Sequence, residues 1–445
     1  MDAIAKMPTY EAYKDSGGEW LGKIPESWQE FRLKYVFSEI NERSSSGLED
    51  LLSVSQYTGV RLKSENISDD DLLSTAETLE GYKLVEKDDL VSNIMLAWNG
   101  SLGFSNYKGI VSPAYSVYRL KRDGCSKYFH YLLRTEAYKA EYKRKSTGVI
   151  ESRLRLYSDD FFDVIGICPS LEEQNLIANF LDQKTAQIDE AIAIKEQQIA
   201  LLKERKQIII QKAVTQGLNP HAMMKDSGVD WIGEIPAHWY VTKLKFFCEF
   251  GGGGTPSKEN LGFWEDGSIP WVSPKDMKSD KIINTQDYIT PLAVKNSATN
   301  YVCPNSLLLV VRSGILQRKI PVAINEVTVT LNQDMKALSL YKNVMSSEYL
   351  KYFIEGNNDS LLVEWTKEGA TVESIEHEFL ANGKIPIPPL GEQRKIVVYL
   401  ENLEKSILYA IECQVNQIEK LKEYKTTLIN SAVTGKIRIT PDMVA

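Results

Sequence analysis

The chain has 445 residues, of which 43% are hydrophobic and 25% are charged. This ordinary globular composition excludes collagen-like, low-complexity and wholly disordered chains, and at roughly 100–200 residues per domain the length predicts two to four domains. The formal net charge of −8 argues against a diffusely basic nucleic-acid binder, but it is compatible with positive charge concentrated in one region.

Cysteine usage and the lack of long apolar runs predict the compartment of the protein. The five cysteines lie far apart without a C-x-x-C pair, which argues against a zinc site or a disulfide framework and favours a reducing cytosol. The first thirty residues contain no secretory signal, and no run approaches the ~18 apolar residues that a membrane helix needs. We therefore expect a soluble, cytoplasmic protein with no membrane association and no metal ion.

Two pairs of matching segments show that the chain contains an internal repeat. Residues 14–34 and 225–245 match at 11 of 21 positions without a gap, and both begin with KDSG. Residues 171–215 and 390–434 match at 18 of 45 positions, again without a gap. Each half of the chain is therefore predicted to consist of an opening segment, a variable globular domain and a long helix.

The predicted domain boundaries follow from this repeat, and the two variable domains are named head one and head two. The expected order is opening segment 1–35, head one 36–168, spacer helix 169–217, second opening segment 218–245, head two 246–388, second spacer helix 389–436 and C-terminal tail 437–445.

The two long segments carry apolar residues in steps of three and four, which is the spacing of a coiled-coil seam. Each begins after proline, at Pro169 and Pro389, and each ends at a glycine, at Gly217 and Gly435. A helix of about 43 residues would be ~64 Å long. The residues predicted to pair the helices or to dock partners are Leu181, Ile188, Ile192, Ile199, Leu202, Ile209, Leu400, Ile407, Ile411, Ile418, Leu421 and Leu428.

Chain connectivity constrains the direction of these helices. Head two leaves the C-terminus of the first helix and enters the N-terminus of the second, so helices that pack on each other must run antiparallel. The predicted fold class is α+β, with two similar globular domains separated by two long antiparallel coiled-coil helices in a pseudo-two-fold repeat. Residues 14–34 and 225–245 are expected to return to the ends of the second and the first helix. An open alternative is that each helix pairs with another chain.

The sequence lacks the common catalytic motifs. It contains no H-E-x-x-H, no G-x-S-x-G and no P-loop. Phe250–Gly254 matches the F-x-G-x-G loop of adenosylmethionine-dependent methyltransferases, but four consecutive glycines satisfy many patterns and no N-P-P-Y-like tetrapeptide follows. We expect a chain with no catalytic residues and no bound cofactor, and a self-contained methyltransferase is the alternative hypothesis.

Positive charge is concentrated in one part of head one. Residues 119–155 contain eleven Lys and Arg against four acidic residues, and tyrosines are interleaved with them. Such an excess favours an anionic partner, and the phosphate backbone of nucleic acid is the most direct candidate. The run 143–148 ends at a glycine, which is typical of a loop whose backbone approaches phosphates.

Sequence-specific binding also requires amide, hydroxyl and guanidinium groups that reach base edges. Turn-like segments of both heads supply such groups, although the same residue types also form ordinary turns. In head one the predicted DNA-binding residues are Ser55, Gln56, Tyr57, Asn93, Trp98, Asn99, Ser112, Tyr115, Lys143, Arg144, Lys145 and Arg153. In head two they are Thr255, Ser257, Ser273, Lys275, Arg312, Ser313, Arg318, Asn332 and Gln333.

Several motifs resemble those of the specificity subunits of type I restriction–modification systems. The resemblance rests on KDSGVDWIGEIPAHW, on GGGGTPS, on the helix openings LEEQ and LGEQ, and on the helix ends KAVTQG and SAVTGK. It covers nearly the whole chain, although head one lacks the GGGGTPS opening. It implies two target-recognition domains that each contact one half of a split, asymmetric DNA site and are held apart by the paired helices.

The resemblance also implies a set of partners. Methylation and cleavage would lie in separate subunits: two methyltransferase (modification) subunits docked on this chain, and restriction/translocase subunits joined through the complex. Adenosylmethionine, ATP and magnesium would be bound by those partners and not by this chain. A coiled-coil scaffold that binds only proteins is a further alternative, in which exchanging the heads would leave any DNA target unchanged.

Overall fold

The structure, a computed structural model, describes residues 4, 6–65, 78–121, 123–150, 154–366 and 373–444. It divides into two compact units: unit one contains Met1–Lys195 with Val415–Ala445, and unit two contains Glu196–Gln414. Both divisions fall within long helices, so each unit contains part of each helix. The predicted α+β class with two long helices is confirmed, while the boundary positions of heads and opening segments stay a prediction.

Unit one combines short antiparallel strands with helices that follow them. Its strands are β1 (Tyr13–Asp15), β2 (Lys23–Pro25), β3 (Gln29–Arg32), β4 (Phe37–Ile40), β5 (Leu52–Ser55), β6 (Gly59–Leu62), β7 (Lys83–Val85), β8 (Leu90–Asn93), β9 (Leu102–Phe104), β10 (Gly109–Val111), β11 (Tyr115–Leu120) and β12 (Ile165–Cys168). Its helices are α1 (Ser126–Leu132), α2 (Glu136–Lys145), α3 (Ser158–Phe162) and the first part of α4 (Leu171–Gln216). The largest sheet has the order β4-β11-β8-β9, and the fully buried β8 lies inside it.

Unit two repeats this plan with a larger sheet. Its strands are β13 (Met224–Asp226), β14 (Glu234–Pro236), β15 (Tyr240–Lys243), β16 (Cys248–Gly252), β17 (Ile269–Val272), β18 (Lys281–Ile282), β19 (Asp287–Ile289), β20 (Leu307–Val310), β21 (Val322–Asn325), β22 (Thr330–Leu331), β23 (Met335–Leu340) and β24 (Lys384–Ile387). Its helices are α5 (Pro291–Lys295), α6 (Ser347–Gly356), α7 (Asn358–Trp365), α8 (His377–Asn382) and the first part of α9 (Leu390–Val433). The sheets have the orders β16-β23-β20-β21-β18 and β19-β17-β22.

The opening segments fold alike in the two units. Each forms a hairpin, β1-β2 or β13-β14, and the strand that follows pairs antiparallel with the strand that precedes the long helix. Gln29 thus faces Cys168 in unit one, and Tyr240 faces Ile387 in unit two. This pairing ties the start of each repeat to the start of its own long helix.

The burial of α4 and α9 follows the predicted seam. All of the residues predicted to pair the helices are buried or half-buried, because the seam is the apolar stripe of each helix. In unit one, Leu181 and Ile188 of α4 share a core with Leu428 of α9. Among the described residues, no helix combines the length and the apolar character that a membrane span requires.

Polar contacts give the direction of the helices within each unit. In unit one, Lys425 Nζ lies 2.7 Å from Asp189 Oδ2, and Lys195 donates a hydrogen bond to Gln417. Residue numbers therefore rise along α4 while the partner numbers fall along α9. In unit two Lys206 forms an ion pair with Glu404 at 2.7 Å, and a Cβ at Gly217 would lie 3.0 Å from Glu392 Oε1. The predicted antiparallel direction is confirmed in each unit.

A buried tyrosine fixes each head to the end of a long helix. The Tyr128 hydroxyl of α1 donates to the Val433 carbonyl at 3.2 Å, and the Tyr349 hydroxyl of α6 donates to the Val214 carbonyl at 2.8 Å. Burial raises the pKa of both phenols well above the ordinary value, so each hydroxyl keeps the proton that it donates. The same contact therefore recurs in both repeats, between equivalent positions.

The glutamines of LEEQ and LGEQ fix the other end of the helices. Gln174 Nε2 donates to the Pro169 carbonyl at 3.0 Å, and its Oε1 accepts the Cys125 N–H at 3.0 Å. Gln393 makes the same pair of contacts, with the Pro388 carbonyl at 2.9 Å and the Ser346 N–H at 2.9 Å. Both side chains are buried, which explains why an amide rather than a charged group occupies this position.

The opening segments pack on the helix ends, as predicted. Gly435 has a φ of +72°, and a Cβ there would lie 2.3 Å from Pro25 Cδ. Gly217 has a φ of +73°, and a Cβ there would lie 3.3 Å from Trp239 Cζ2. Glycine ends each helix because it accepts the left-handed conformation and because the opening segment occupies the space of a side chain.

This contact predicts a difference between two glycine substitutions. Gly228 has a φ of +70° and no atom within 4 Å of a Cβ, so Gly228→Ala adds backbone strain alone, about 1 kcal/mol. Gly435→Ala adds the overlap with Pro25 and should lower the free energy of unfolding by about 1–3 kcal/mol more. Thermal unfolding midpoints of the two variants test the predicted difference in stability. Equal midpoints would show that Pro25 can move aside without a cost in free energy.

Candidate nucleic-acid interface

The turn between β5 and β6 forms one part of the predicted surface in head one. The Ser55 hydroxyl accepts the Tyr57 N–H at 3.1 Å, and the Tyr57 side chain is 82% exposed. The Arg134 guanidinium donates to the Gln56 carbonyl and to the Leu102 carbonyl, both at 2.8 Å. Burial lowers the pKa of Arg134 to about 10, so it remains a cation that joins the turn to β9.

A second part of the surface is the short helix Ala97–Asn99, which packs on α2. Trp98 Nε1 donates to the Met95 carbonyl at 3.0 Å, and Lys143 Nζ lies 5.5 Å from the centre of the Trp98 ring. Asn99 Oδ1 accepts the Ser101 hydroxyl at 2.8 Å. The half-buried Trp98 and Asn99 are therefore held next to the basic end of α2.

Three other predicted residues of head one lie at strand ends. Asn93 is only 6% exposed, its Oδ1 accepts the Met95 N–H at 3.1 Å, and it faces Tyr115 across β8 and β11. Its amide stabilises the turn that follows, and its low exposure does not favour the predicted DNA contact, which stays a prediction. Tyr115 and Ser112 are half-buried, and the Ser112 hydroxyl accepts the Ala114 N–H at 3.4 Å.

The basic segment of head one is helical and partly neutralised, which corrects two expectations. Helix α2 continues through Lys145, so residues 143–145 form its last turn and not a loop. Arg144 makes two hydrogen bonds of 2.7 Å with Glu141. Other cations pair with carboxylates as follows: Arg119 with Asp89, Lys127 with Asp182 and Lys139 with Glu136.

Four tyrosines in or next to this segment are buried. Tyr118, Tyr128, Tyr138 and Tyr142 are at most 1% exposed and belong to the core of unit one. Their spacing therefore follows the inner faces of β11, α1 and α2. Arg153 lies outside the described residues.

In head two, the predicted segments around residues 255, 273, 312 and 332 meet at the beginning of β23. The Thr255 hydroxyl contacts Gln333 Oε1, and the Asn332 N–H donates to the Val272 carbonyl at 2.9 Å. The Arg312 N–H donates to the Asp334 carbonyl at 3.3 Å. Because β17 and β22 are parallel, the segments that follow them leave the sheet on the same side.

The exposed members of these segments are named the polar cluster. They are Thr255, Lys275, Arg312 and Gln333. Within the part of the chain that the structure describes, neither Lys275 nor Arg312 makes an ion pair with a carboxylate. The polar cluster therefore offers a hydroxyl, an ammonium, a guanidinium and an amide in one region of the surface.

Five further predicted residues of head two lie beside or apart from the polar cluster. The Ser273 hydroxyl donates to Asp276 at 2.9 Å and Asn332 Oδ1 accepts the Asp334 N–H at 3.0 Å. Both residues are buried, which does not favour their predicted DNA contacts, and these contacts stay predictions. Ser257 is exposed, and the half-buried Ser313 hydroxyl accepts the Ile315 N–H at 3.4 Å. Arg318 is exposed, and its carbonyl accepts Asn358 Nδ2 at 3.2 Å.

The glycine-rich segment of head two has a structural role. A Cβ at Gly253 would lie 2.0 Å from the Asn332 carbonyl oxygen, and one at Gly254 would lie 2.9 Å from the Thr299 nitrogen. The glycines thus let the chain pass directly against neighbouring backbone, and Trp271 Nε1 donates to the Gly254 carbonyl at 3.0 Å. Among the described residues, no group of three or more His, Cys, Asp or Glu side chains is arranged to hold a metal ion.

Sequence reasoning missed the buried lysine that supports the segment after Lys275. Lys351 Nζ of α6 lies 2.7 Å from Asp280 Oδ2 and 3.2 Å from Glu355 Oε2. Burial opposes its charge, but the two carboxylates more than offset burial and raise the pKa of Lys351. Lys351 and Glu355 are four residues apart, a spacing that predicts contact on one face of a helix. The contact with Asp280 depends on the tertiary fold and could not be predicted in this way.

Comparison with known proteins finds similar domains and chains. Residues 236–420 match the family model described as the type I restriction modification DNA specificity domain. The chain is 39% identical over 212 residues to the EcoR124I/EcoR124II specificity subunit of Escherichia coli, a match that spans about half of each protein, 46% of this chain and 49% of that one. It is 24% identical over 454 residues to the putative type I restriction enzyme MjaX specificity subunit of Methanocaldococcus jannaschii, with 94% and 96% covered.

Two solved structures share the fold. A chain from a structure concerned with complex assembly and conformational transition of the type I R-M system has a TM-score of 0.69 at 16% identity, covering 92% of this chain and 98% of that one. The HsdS subunit of Thermoanaerobacter tengcongensis has a TM-score of 0.56 at 17% identity, covering 93% and 98%. The solved structures show a shared fold, and the sequence matches show that residues 236–420 resemble the DNA specificity domain and that the chain is similar to type I restriction enzyme specificity subunits.

The half-buried histidine below the β5-β6 turn predicts a pH dependence of stability. His130 Nδ1 accepts the Phe104 N–H at 3.3 Å, and burial, assisted by Arg134, lowers its pKa to about 3. The unfolded chain binds this proton below about pH 6.5 and the folded chain does not, so stability falls as pH decreases from 6.5 towards 3. Between pH 7 and 5 the loss should be about 2 kcal/mol from this residue.

Thermal unfolding midpoints at pH 7 and pH 5 measure this effect. His130→Gln should show a smaller decrease between the two pH values than the original chain. His221→Gln, at an exposed position, should show the original decrease. Equal decreases in all three chains would contradict the assignment of a neutral His130 in the folded chain.

Proposed function

We propose that the chain recognises double-stranded DNA by sequence, and that each head recognises one half of a bipartite, asymmetric site. The observation that carries this proposal is the polar cluster of head two. Its side chains come from segments that are far apart in the sequence, yet their backbones are joined around residues 332–334. Hydrogen-bonding groups converging on one exposed region are what direct readout of base edges requires.

The chemistry of the polar cluster suggests a role for each member. The Arg312 guanidinium suits bidentate donation to guanine O6 and N7, and the Gln333 amide suits adenine N6 and N7. Lys275 follows Ser273 on the short helix Pro274–Asp276 and suits a phosphate contact. Thr255 contacts Gln333 and would fix the orientation of its amide.

Head one offers different groups, and this difference supports an asymmetric site. Its exposed or half-buried candidates are the aromatic rings of Tyr57 and Trp98, the amide of Asn99 and the basic end of α2. Lys143 and Lys145 are suited to phosphates beside these groups. Two heads that present unlike side chains are expected to select unlike half-sites.

The long helices are proposed to dock two methyltransferase subunits, through which restriction/translocase subunits join the complex. The support is apolar surface that the helix seam does not use: Leu201, Ile208 and Leu408 are 55%, 43% and 60% exposed. In this proposal adenosylmethionine, ATP and magnesium are bound by the partner subunits, this chain has no catalytic residue, and the complex acts in the cytoplasm.

Substitution of the polar cluster tests base recognition. In a complex with the methyltransferase subunits, Gln333→Ala and Arg312→Ala should each cost about 1–3 kcal/mol at one base pair and relax the preference there. Lys342→Ala is the matched control, because Lys342 is an exposed cation of head two that no described contact joins to the cluster, and it should leave the preference unchanged. Selection from randomised duplexes measures all three, and unchanged preferences in the first two would refute the assignment.

Neighbouring cations of α2 predict different salt dependences. Lys145→Ala should reduce the slope of log affinity against log salt concentration by about 1, because one phosphate contact is lost. Arg144→Ala should leave the slope nearly unchanged, because Glu141 already neutralises Arg144. Binding titrations between low and moderate salt distinguish the two, and a larger effect from Arg144→Ala would contradict this geometry.

A further inference from the structure

The segment that follows α2 exposes two apolar side chains on a fixed base. Val149 is 99% exposed and Ile150 is 53% exposed; with Gly148 they are named the head-one tip. The Ser146 hydroxyl donates to the Tyr142 carbonyl at 2.7 Å, which fastens the end of α2. Exposed β-branched side chains gain free energy when a partner covers them.

Arg155 and Leu156, which follow the head-one tip in the sequence, are also held by hydrogen bonds. Thr147 and Arg155 exchange backbone hydrogen bonds of 3.0 and 2.9 Å, and the Leu156 N–H donates to the Ile94 carbonyl at 2.8 Å. Leu156 itself is 2% exposed and belongs to the core of unit one. The head-one tip therefore projects from a base that the core holds in place on both sides.

Cations precede and follow the head-one tip in the sequence, although the residue directly after Ile150 is the acidic Glu151. Lys145 precedes it and Arg155 follows it, and within the described parts of the chain neither makes an ion pair with a carboxylate. Lys143, one turn earlier on α2, lies over Trp98. The tip thus combines apolar side chains at its end with cations at its base, next to the Trp98–Asn99 surface.

This combination matches duplex DNA, in which charged phosphates flank an apolar stack of bases. Cations at the base of the tip would contact phosphates while the apolar end reaches the groove. Apolar side chains in the minor groove unstack a base step and kink the duplex. We propose that Val149 and Ile150 form a wedge that enters a groove of the DNA beside the half-site of head one and unstacks one base step.

The inference rests on the proposed recognition of DNA, and the test keeps the two apart. The complex with methyltransferase subunits is bound to duplexes that carry 2-aminopurine, in turn, at each position other than the methylated bases. Sequence-specific binding tests the proposed function, and the fluorescence of 2-aminopurine tests the wedge. A complex without any sequence preference refutes the proposed function itself.

The wedge predicts a fluorescence increase at one step on the head-one side of the site. Val149→Ala with Ile150→Ala should abolish that increase and weaken binding about tenfold, while the preferred sequence stays the same. Val149→Ile should retain both signals. Val363→Ala, at a valine of α7 that is 82% exposed, is the matched control and should change neither.

Two results would overturn the wedge. One is an unchanged fluorescence increase in the double alanine variant that still binds its site. The other is intact DNA binding together with loss of a partner subunit from the purified complex, which would show that the head-one tip contacts protein.

Discussion

The antiparallel packing of the two long helices is the constraint on which both units depend. Each unit is completed by a helix segment from the other repeat: the core of unit one includes Leu428, Ala432 and Val433 of α9. Unit two likewise includes Ile210, Ala213 and Val214 of α4. Neither repeat contains a complete core by itself, so contacts between residues very distant in sequence must form before either unit is stable.

The contacts that complete each core are also the contacts that the repeat preserves. The hydroxyls of Tyr128 and Tyr349 bind helix-end carbonyls, and Gln174 and Gln393 close the helix starts. These side chains are buried, and they act through backbone groups that any sequence provides. A frame of this kind, formed by the opening segments and the long helices, tolerates change in the strands and turns that it carries, which explains why the heads differ more than the opening segments and helices do.

The frame of opening segments and long helices was predictable from the sequence, because it depends on local spacing of residue types and on the internal repeat. The seam residues, the helix limits near Pro169 and Gly217, and the return of the opening segments all follow from spacing and connectivity. The surface of the heads was predictable only in part. Asn93, Ser273 and Asn332 are residue types that suit both base contacts and turns, and only their burial distinguishes the two roles.

Two further features depended on tertiary structure. The net charge of residues 119–155 suggested a strongly basic surface, but Asp89 and Asp182, outside that range, neutralise Arg119 and Lys127. The meeting of Thr255 with Gln333 depends on the antiparallel pairing of β16 with β23, in which Gly252 faces Lys336, and no local sequence pattern predicts this pairing. Sequence patterns thus found candidate groups, while strand topology decided which of them share one surface.

The central claim is that two unlike heads on one frame recognise two unlike half-sites. The most direct measurement is single-molecule sequencing of the genome of a cell that expresses this chain with its methyltransferase and restriction subunits. The account predicts methylation of one motif with two different specific parts separated by a gap of constant length. A single uninterrupted motif, two identical halves, or methylation without any sequence preference would contradict it.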